Sequence, residues 1–600
     1  MRDTSSLLAP FSPPDTNFVE RIRYWAVATP DTVAFRYLEG DEETDVVTFA
    51  ELDTQARAIA ARLVAMGFAG QRALMLYPPG LDFIRAFFGC HYAGVIPVPA
   101  YPPKRNRNMG RINSISENCQ ASVALSVENV ASKTAGKLED APDLRRIPWV
   151  ATEEIPTVLA NDWVPPTIAG TDLGLIQYTS GSTGSPKGVM LTHANLMANC
   201  RMITGAFEVR NKSTACSWLP AYHDMGLVGG ILNPSFCGVS QNLMSPVSFL
   251  TYPIRWLRAI SKYRVEVTGG PNFAYAWCAA KIKPAQCEGL DLSSWNVAFN
   301  GAEPVRSDVM DLFSERFAEY GFRKEAFYPC YGMAETTLLV TGGDPAAEPI
   351  VRSFDKNELT QHRVEPCDMN DSDAKLLVGC GQVCKGEEVV IVNPETLKPL
   401  QDDKIGEILI NSPSSGMGYW NRPEETSATF RARINPDDGK DYVRSGDLGF
   451  MHDGELFVTG RLKDMIIVRG VNRYPQDIET TVEQCHEWTR SGACAAFAVN
   501  RWDREHLVVV CEIERGRKSR NLEVVINAIR AAVTSEHDLP PDAIVLVRAH
   551  SVPKTSSGKV QRHACKNNFN DGELLVFAEW VSWKEKAAED EKISADIASA

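Results

Sequence analysis

The chain has 600 residues, 44% hydrophobic and 23% charged, with a formal net charge of −14. That length is too great for one hydrophobic core, so two or more domains are expected. The acidic balance and the lack of a long basic run argue against nucleic acid or an anionic membrane surface as the main partner.

Fifteen cysteines are scattered without a paired framework or a Cys-x-x-Cys motif. Cys380 and Cys384 have no histidine close in sequence to complete a zinc site. Reduced thiols in a cytoplasm are the expected state. Residues 1–15 carry acidic and proline residues and no apolar stretch of the signal-peptide kind. No segment approaches 18 uninterrupted apolar residues, so no membrane span is expected.

In chain order, Thr48-Phe-Ala-Glu51 forms a capping box. Leu52, Ala56, Ile59, Leu63 and Met66 follow at helical spacing, and Gly67 supplies the stop. Residues 73–77 read as a strand and 83–92 as a helix. This alternation predicts an α/β layered domain, with further strands at 265–268 and 296–299 and a helix at 308–320. Residues 342–375 are polar, acidic and irregular. From 376 to 458 the pattern is β-like, with strands at 388–392, 406–410 and 455–459. A charged junction at 460–464 leads into a smaller α+β unit of mixed helix and strand patterns. Residues 584–600 are Glu/Lys/Ala/Ser-rich and read as a solvated tail.

The most telling segment is 179–188, Thr-Ser-Gly-Ser-Thr-Gly-Ser-Pro-Lys-Gly. Its glycines let backbone N–H groups approach an anion, its hydroxyls add donors, and Lys187 adds a positive charge suited to polyphosphate. Apolar residues at 173–178 and 189–191 predict a loop between two strands rather than a linker. It is not a Walker loop, because Ser-Pro-Lys follows Gly184.

Five more segments carry polar chemistry. Trp218-Leu-Pro-Ala-Tyr-His-Asp-Met-Gly226 sets His223 beside Asp224, which would also cap a helix; two adjacent residues chelate a metal poorly. Asn300-Gly-Ala-Glu-Pro304 follows a strand and would serve equally as a turn. Tyr328–Thr337 (Tyr-Pro-Cys-Tyr-Gly-Met-Ala-Glu-Thr-Thr) offers aromatics and Glu335, a hard oxygen donor. Ser445-Gly-Asp-Leu-Gly449 supplies Asp447, either a turn residue or an acceptor for ribose hydroxyls. Pro553-Lys-Thr-Ser-Ser-Gly-Lys559-Val-Gln-Arg562 presents a lysine after glycine.

In their order, and over residues 18–562, these segments resemble the adenylate-forming enzymes. Tyr222-His223, Gly270-Pro-Asn-Phe-Ala-Tyr-Ala276, Tyr474-Pro-Gln-Asp-Ile-Glu479 and the polar segment 343–375 resemble the fatty acyl-AMP ligase branch. The resemblance implies an α/β fold: a large N-terminal adenylate-forming domain of several sheets flanked by helices, and a small mobile α+β C-terminal domain. It places these at 1–462 and 463–583, with a family-specific insertion at 343–375 and a tail at 584–600.

The resemblance also distributes roles. Thr179, Ser180, Gly181, Ser182, Thr183, Gly184 and Lys187 would cradle ATP phosphates. His223 would face the phosphates and the substrate carboxylate. Gly301, Ala302 and Glu303 would wall the adenine pocket. Tyr331 would stack on adenine, beside Gly332, Met333 and Ala334. Glu335 would hold Mg²⁺, and Thr336 or the backbone would cover the α-phosphate, because Ala334 stands where many relatives have threonine. Asp447 and Arg461 would bind ribose, or phosphate in the case of Arg461. Lys463 would be the hinge, and Lys559 would reach the α-phosphate and the attacking carboxylate.

The implied reaction takes ATP, Mg²⁺ and a medium- or long-chain fatty acid to acyl-AMP and pyrophosphate. The acyl group then passes to the phosphopantetheine arm of an acyl carrier protein, in trans or beyond residue 600. An acyl-CoA synthetase is the alternative, and a non-catalytic nucleotide sensor a third reading. Residues 225–234 and 271–280 are apolar enough to line an acyl tunnel.

Overall fold

The computed structural model describes residues 14–102, 109–135, 141–179, 186–468, 471–501, 504–514, 516, 521–537, 539–555 and 559–583. Four sheets position the site. The largest has nine strands, in the order Gln382–Val383, Leu339–Gly342, Phe327–Gly332, Val297–Asn300, Val267–Gly270, Thr214–Ser217, Ser240–Met244, Val33–Glu39 and Glu42–Thr48. Its middle strands, from Phe327–Gly332 to Val33–Glu39, run parallel. Their faces are covered by helices, as parallel sheets require. Trp256, Trp295, Tyr275, Phe313 and Phe327 pack edge to face in one such layer and are almost wholly buried.

A four-stranded parallel sheet holds Ile96–Pro99, Arg72–Met75, Val123–Ser126 and Trp149–Ala151. A short antiparallel sheet pairs Leu173–Thr179 with Lys187–Thr192, and Gly418–Tyr419 joins its edge. This is the hairpin that the apolar flanks of residues 179–188 predict. A four-stranded antiparallel sheet contains Glu388–Val392, Gly406–Asn411, Val443–His452 and Glu455–Arg461. The C-terminal region has its own sheet of Thr489–Arg501, Arg504–Ile513, Ala543–Val547 and Val576–Val581. Its own core includes Leu507, Val509, Ile529 and Leu546.

The capping box forms as read: Thr48 and Glu51 exchange hydrogen bonds at the start of helix Phe49–Ala65. The segment 342–375 is more ordered than its polarity suggests. Val351–Asp355 pairs antiparallel with Ala374–Val378, and Asp355 caps the short helix Lys356–Thr360. Phe354, Leu359 and Val364 are buried and give this segment a small core with Phe450 and Phe457. Among the described residues, no helix is long and apolar enough to cross a membrane.

Candidate active site

The parallel strands Val267–Gly270, Val297–Asn300 and Phe327–Gly332 end on the same side of the largest sheet. Ligands of open parallel sheets bind outside such carboxyl ends. A cleft of about 3210 Å³ opens there. Its lining includes Thr179, Lys187, His223, Gly301, Ala302, Glu303, Tyr331, Gly332, Met333, Ala334, Glu335, Asp447, Arg461, Lys463 and Lys559. Ser180, Gly181, Ser182, Thr183 and Gly184 lie outside the described residues.

One wall is built around Asp447. The antiparallel register sets Asp447 opposite Arg461, so both side chains share a face of the sheet. Asp447 Oδ1 accepts from Arg461 Nε at 2.9 Å, and Oδ2 accepts from the Tyr331 hydroxyl at 2.9 Å. Gly446 turns with φ +69°, and the Asp447 N–H donates to Ser445 Oγ at 3.0 Å. The neighbouring carboxylate holds Arg461 charged by raising its pKa. Burial and the adjacent Asp447 charge keep the Tyr331 hydroxyl protonated.

Glu335 lines the same cleft. Its Oε1 accepts from the Tyr419 hydroxyl at 2.7 Å, and Lys187 Nζ lies 5.0 Å from the Tyr419 ring centroid. Burial raises the Glu335 pKa, and the Tyr419 bond opposes that rise. The turn that follows is strained. Thr337 has φ +71° and ψ −63°, and the Leu338 N–H donates to the Thr336 carbonyl at 2.9 Å, closing a three-residue turn. A β-branched residue there costs on the order of 1–3 kcal/mol and persists only when its surroundings over-determine it. Ala302, on the facing loop, also has positive φ, +69°.

This turn corrects one expectation. Thr336 is fully buried and does not line the cleft. Its hydroxyl donates to the Met333 carbonyl at 3.1 Å, so it is not presented to an α-phosphate. The tight reversal at Thr337 turns this residue into the interior, and sequence spacing carries no sign of it.

His223 and Asp224 form a pair, Nδ1 to Oδ1 at 2.5 Å, and Asp224 Oδ1 also accepts from the Met225 N–H at 2.7 Å. Asp224 thus caps the π-helical segment Met225–Leu232 and orients His223 at once. Burial alone would raise its pKa, but His223 and then Lys559 outweigh burial and hold Asp224 below its ordinary value. Glu303 accepts from the Phe273 N–H at 2.6 Å, at the start of helix Asn272–Lys281. Burial nevertheless raises its pKa, against the pull of Lys559 and Lys554. Lys559 is tied to Thr555: the Thr555 N–H donates to its carbonyl at 2.7 Å and its own N–H donates to Thr555 Oγ1 at 3.1 Å. Burial lowers its pKa, against Asp224, Glu303 and Asp447.

Two features escaped the sequence reading. Tyr419 belongs to no motif with obvious chemistry, and only its pairing beside Lys187–Thr192 brings it to Glu335. Arg562 is clamped between carboxylates: Nε and Nη2 donate to Glu479 at 2.7 Å each, and Nη1 to Asp464 at 2.9 Å. It ties the segment that carries Lys559 to Leu462–Asp464, which carries Lys463.

The fold is that of an AMP-binding enzyme. Residues 22–420 match the family described as "AMP-binding enzyme", and the chain belongs to it. Residues 463–579 match "Disco-interacting protein 2-like, AMP domain". Among its relatives is the medium-chain-fatty-acid–[acyl-carrier-protein] ligase JamA of Moorena producens. The two are 43% identical over 571 residues, covering 94% of this chain and 96% of JamA. The long-chain-fatty-acid–AMP ligase FadD32 of Mycolicibacterium smegmatis is 34% identical, covering 94% of this chain and 95% of that protein. A solved fatty acyl-adenylate ligase from L. pneumophila, in complex with acyl adenylate and pyrophosphate, is 41% identical with a TM-score of 0.73. The match covers 94% of this chain and 98% of that one.

Proposed function

We propose that the protein activates a medium- or long-chain fatty acid with ATP. The carboxylate attacks the α-phosphorus, the bond to pyrophosphate breaks, and a mixed acyl-AMP anhydride forms. No protein nucleophile is required, so catalysis is positioning and charge neutralisation. The observation that carries this reading is the convergence of Asp447, Glu335, His223 and Lys559 on one cleft at the strand ends. Asp447 and Tyr331 would hold the ribose and adenine, and Gly301, Ala302 and Glu303 the far side of the base. Lys187 and Arg461 would meet phosphate oxygens. Lys559 would meet the α-phosphate and incoming carboxylate, where an ammonium counters developing negative charge.

Glu335 fits a magnesium ligand: it is a carboxylate in the cleft whose burial disfavours its charge, a penalty that a bound cation relieves. Mg²⁺ would supply charge neutralisation on the departing phosphates. Phe273, Ala276 and Trp277 line the cleft and suit an acyl chain.

The acceptor in this reading is the phosphopantetheine thiol of an acyl carrier protein. The names of JamA and FadD32 support a fatty-acid ligase that forms acyl-AMP and serves a carrier. So does the segment 343–375, whose base is tied to the C-terminal unit. Lys375 Nζ lies 2.6 Å from Asp477, and Lys356 Nζ lies 3.4 Å from Glu536. Those ties restrain rotation of the small unit about Lys463, which disfavours CoA as the acceptor. The units divide at Lys463, into 1–462 and 463–583, with Lys463 as pivot. The fifteen cysteines, all free thiols, suit a reducing cytoplasm.

The test incubates the protein with ATP, Mg²⁺ and dodecanoic acid, with CoA or with a phosphopantetheinylated carrier. Acyl-AMP that persists with CoA and passes to the carrier supports the reading. Rapid acyl-CoA formation would replace it with an acyl-CoA synthetase.

A further inference from the structure

A second polar network lies behind the Glu335 turn. Glu387 stands just before the strand Glu388–Val392, and its Oε2 is buried with no hydrogen-bond partner among the described residues. Its Oε1 lies 2.5 Å from Ser412 Oγ, which lies 2.7 Å from Ser414 Oγ. Ser414 Oγ lies 2.9 Å from the Thr336 carbonyl, the acceptor that closes the strained turn. Thr337 Oγ1 donates back to the Ser414 carbonyl at 2.7 Å. Asn199 Nδ2 donates to Ser414 Oγ at 3.1 Å and to the Leu339 carbonyl at 3.0 Å, while Asn199 Oδ1 accepts from the Leu339 N–H. The Gly416 N–H donates to the Glu335 carbonyl at 2.8 Å.

The protons can be counted. The Glu387–Ser412, Ser412–Ser414 and Ser414–Thr336 links each need one hydrogen between two oxygens. The serine hydroxyls supply two; the Ser414 N–H on Ser412 Oγ at 2.8 Å and Asn199 Nδ2 on Ser414 Oγ and the Thr336 carbonyl are further donors and bridge none of these links. A protonated Glu387 supplies the third, and the chain then runs Glu387 to Ser412 to Ser414 to the Thr336 carbonyl with every link made. An ionised Glu387 takes the Ser412 hydrogen, and one of the two remaining links loses its proton. We propose that protonated Glu387, acting through Ser412 and Ser414, is a positioning residue that holds the 334–338 turn and so the Glu335 carboxylate.

The inference rests on Glu335 serving the nucleotide, as in the proposed function. Burial pushes the Glu387 carboxyl up to about 7, against the serine hydrogen bonds. The titratable group facing it is the Cys384 thiol, itself pushed up to about 12 by burial. Residues 411–416 bring only neutral side chains, Asn199 a neutral amide, and the Glu335 carboxylate points to Tyr419 instead. Protonation of Glu387 below neutral pH thus completes the chain, and its ionisation above neutral pH opens it.

Hydrogen exchange of the 334–342 amides, corrected for intrinsic rates, tests this between about pH 6 and about pH 8.5, with the KM for ATP measured alongside. In the wild type, exchange of the Leu339 region and the KM should both rise severalfold across neutral pH. Glu387→Gln keeps the shape and supplies an N–H donor, so both readouts should stay low and flat. Ser414→Ala should raise both by about tenfold at every pH, with a smaller change in kcat. A Glu387→Gln enzyme that keeps the wild-type pH dependence would overturn the proposal, whether or not Ser414→Ala folds. So would a Ser414→Ala protein with unchanged exchange. The exchange readout needs no product, so its failure is distinguishable from a failure to make acyl-AMP.

Discussion

The wall around Asp447 and the segment around Lys559 treat charge in opposite ways. Asp447 is paired on both oxygens before any ligand arrives, by Arg461 and Tyr331. Lys559 forms no ion pair among the described residues, and burial disfavours its charge. Three residues on, Arg562 is locked by Glu479 and Asp464. The segment that carries Lys559 is therefore anchored at Arg562, while Lys559 itself has no ion-pair partner among the described residues. A binding wall gains from donors fixed in advance, whereas a group that acts on developing charge gains from having no resting partner.

The sharpest way to break this comparison is Lys559→Ala. It should lower acyl-AMP formation by about 10³-fold, read as pyrophosphate release, with an unchanged melting temperature. A fall in stability instead would place Lys559 among the anchors. Arg562→Ala should do the reverse, because it leaves Glu479 and Asp464 without their cation. A loss of about 3–5 kcal/mol in denaturant unfolding of the C-terminal unit is expected.

A buried pair beside the strands Leu173–Thr179 and Lys187–Thr192 sharpens the distinction between scaffold and site. The His91 and His193 rings lie 4.8 Å apart, and burial lowers their pKa values to about 3 and about 4. Both groups titrate near 6.5 when unfolded, so the unfolded chain binds more protons as pH falls below that value. Stability should decline from about pH 6.5 toward about pH 4, by up to a few kcal/mol, and the decline should shrink in His193→Gln. Urea midpoints across that range check it.

Asp447→Asn should raise the KM for ATP by about tenfold, since charged hydrogen bonds contribute about 1.5–3 kcal/mol. Tyr419→Phe should be mildest. It removes one neutral donor from Glu335 and should cost about 1 kcal/mol, or roughly fivefold in kcat/KM.

What the sequence made legible follows from local rules. The apolar flanks of 179–188 predict the hairpin, and Thr48 with Glu51 predict a helix start, because those signals act over a few residues. The motifs that carry Asp447, Glu335 and Lys559 stand out because each is contiguous, and the fold brings all three to one cleft. Tyr419 and Asn199 were not, because each acts on a partner far along the chain, 84 residues away for Tyr419 and Glu335. Thr336 was misread for a related reason. Its orientation is set by the positive φ at Thr337, which Ser414 sustains from another strand connection. The strand pair Val351–Asp355 and Ala374–Val378 was hidden because the few apolar residues of this region, Phe354, Leu359 and Val364, complete their core with Phe450 and Phe457 from far along the chain.

The proposed chemistry turns on attack of a substrate carboxylate at the α-phosphorus. The most direct measurement supplies dodecanoic acid labelled with oxygen-18 in its carboxyl group and follows the label after acyl transfer. One labelled oxygen in each AMP is the predicted result. Label in pyrophosphate or inorganic phosphate would contradict the account, because it would mean attack at another phosphorus.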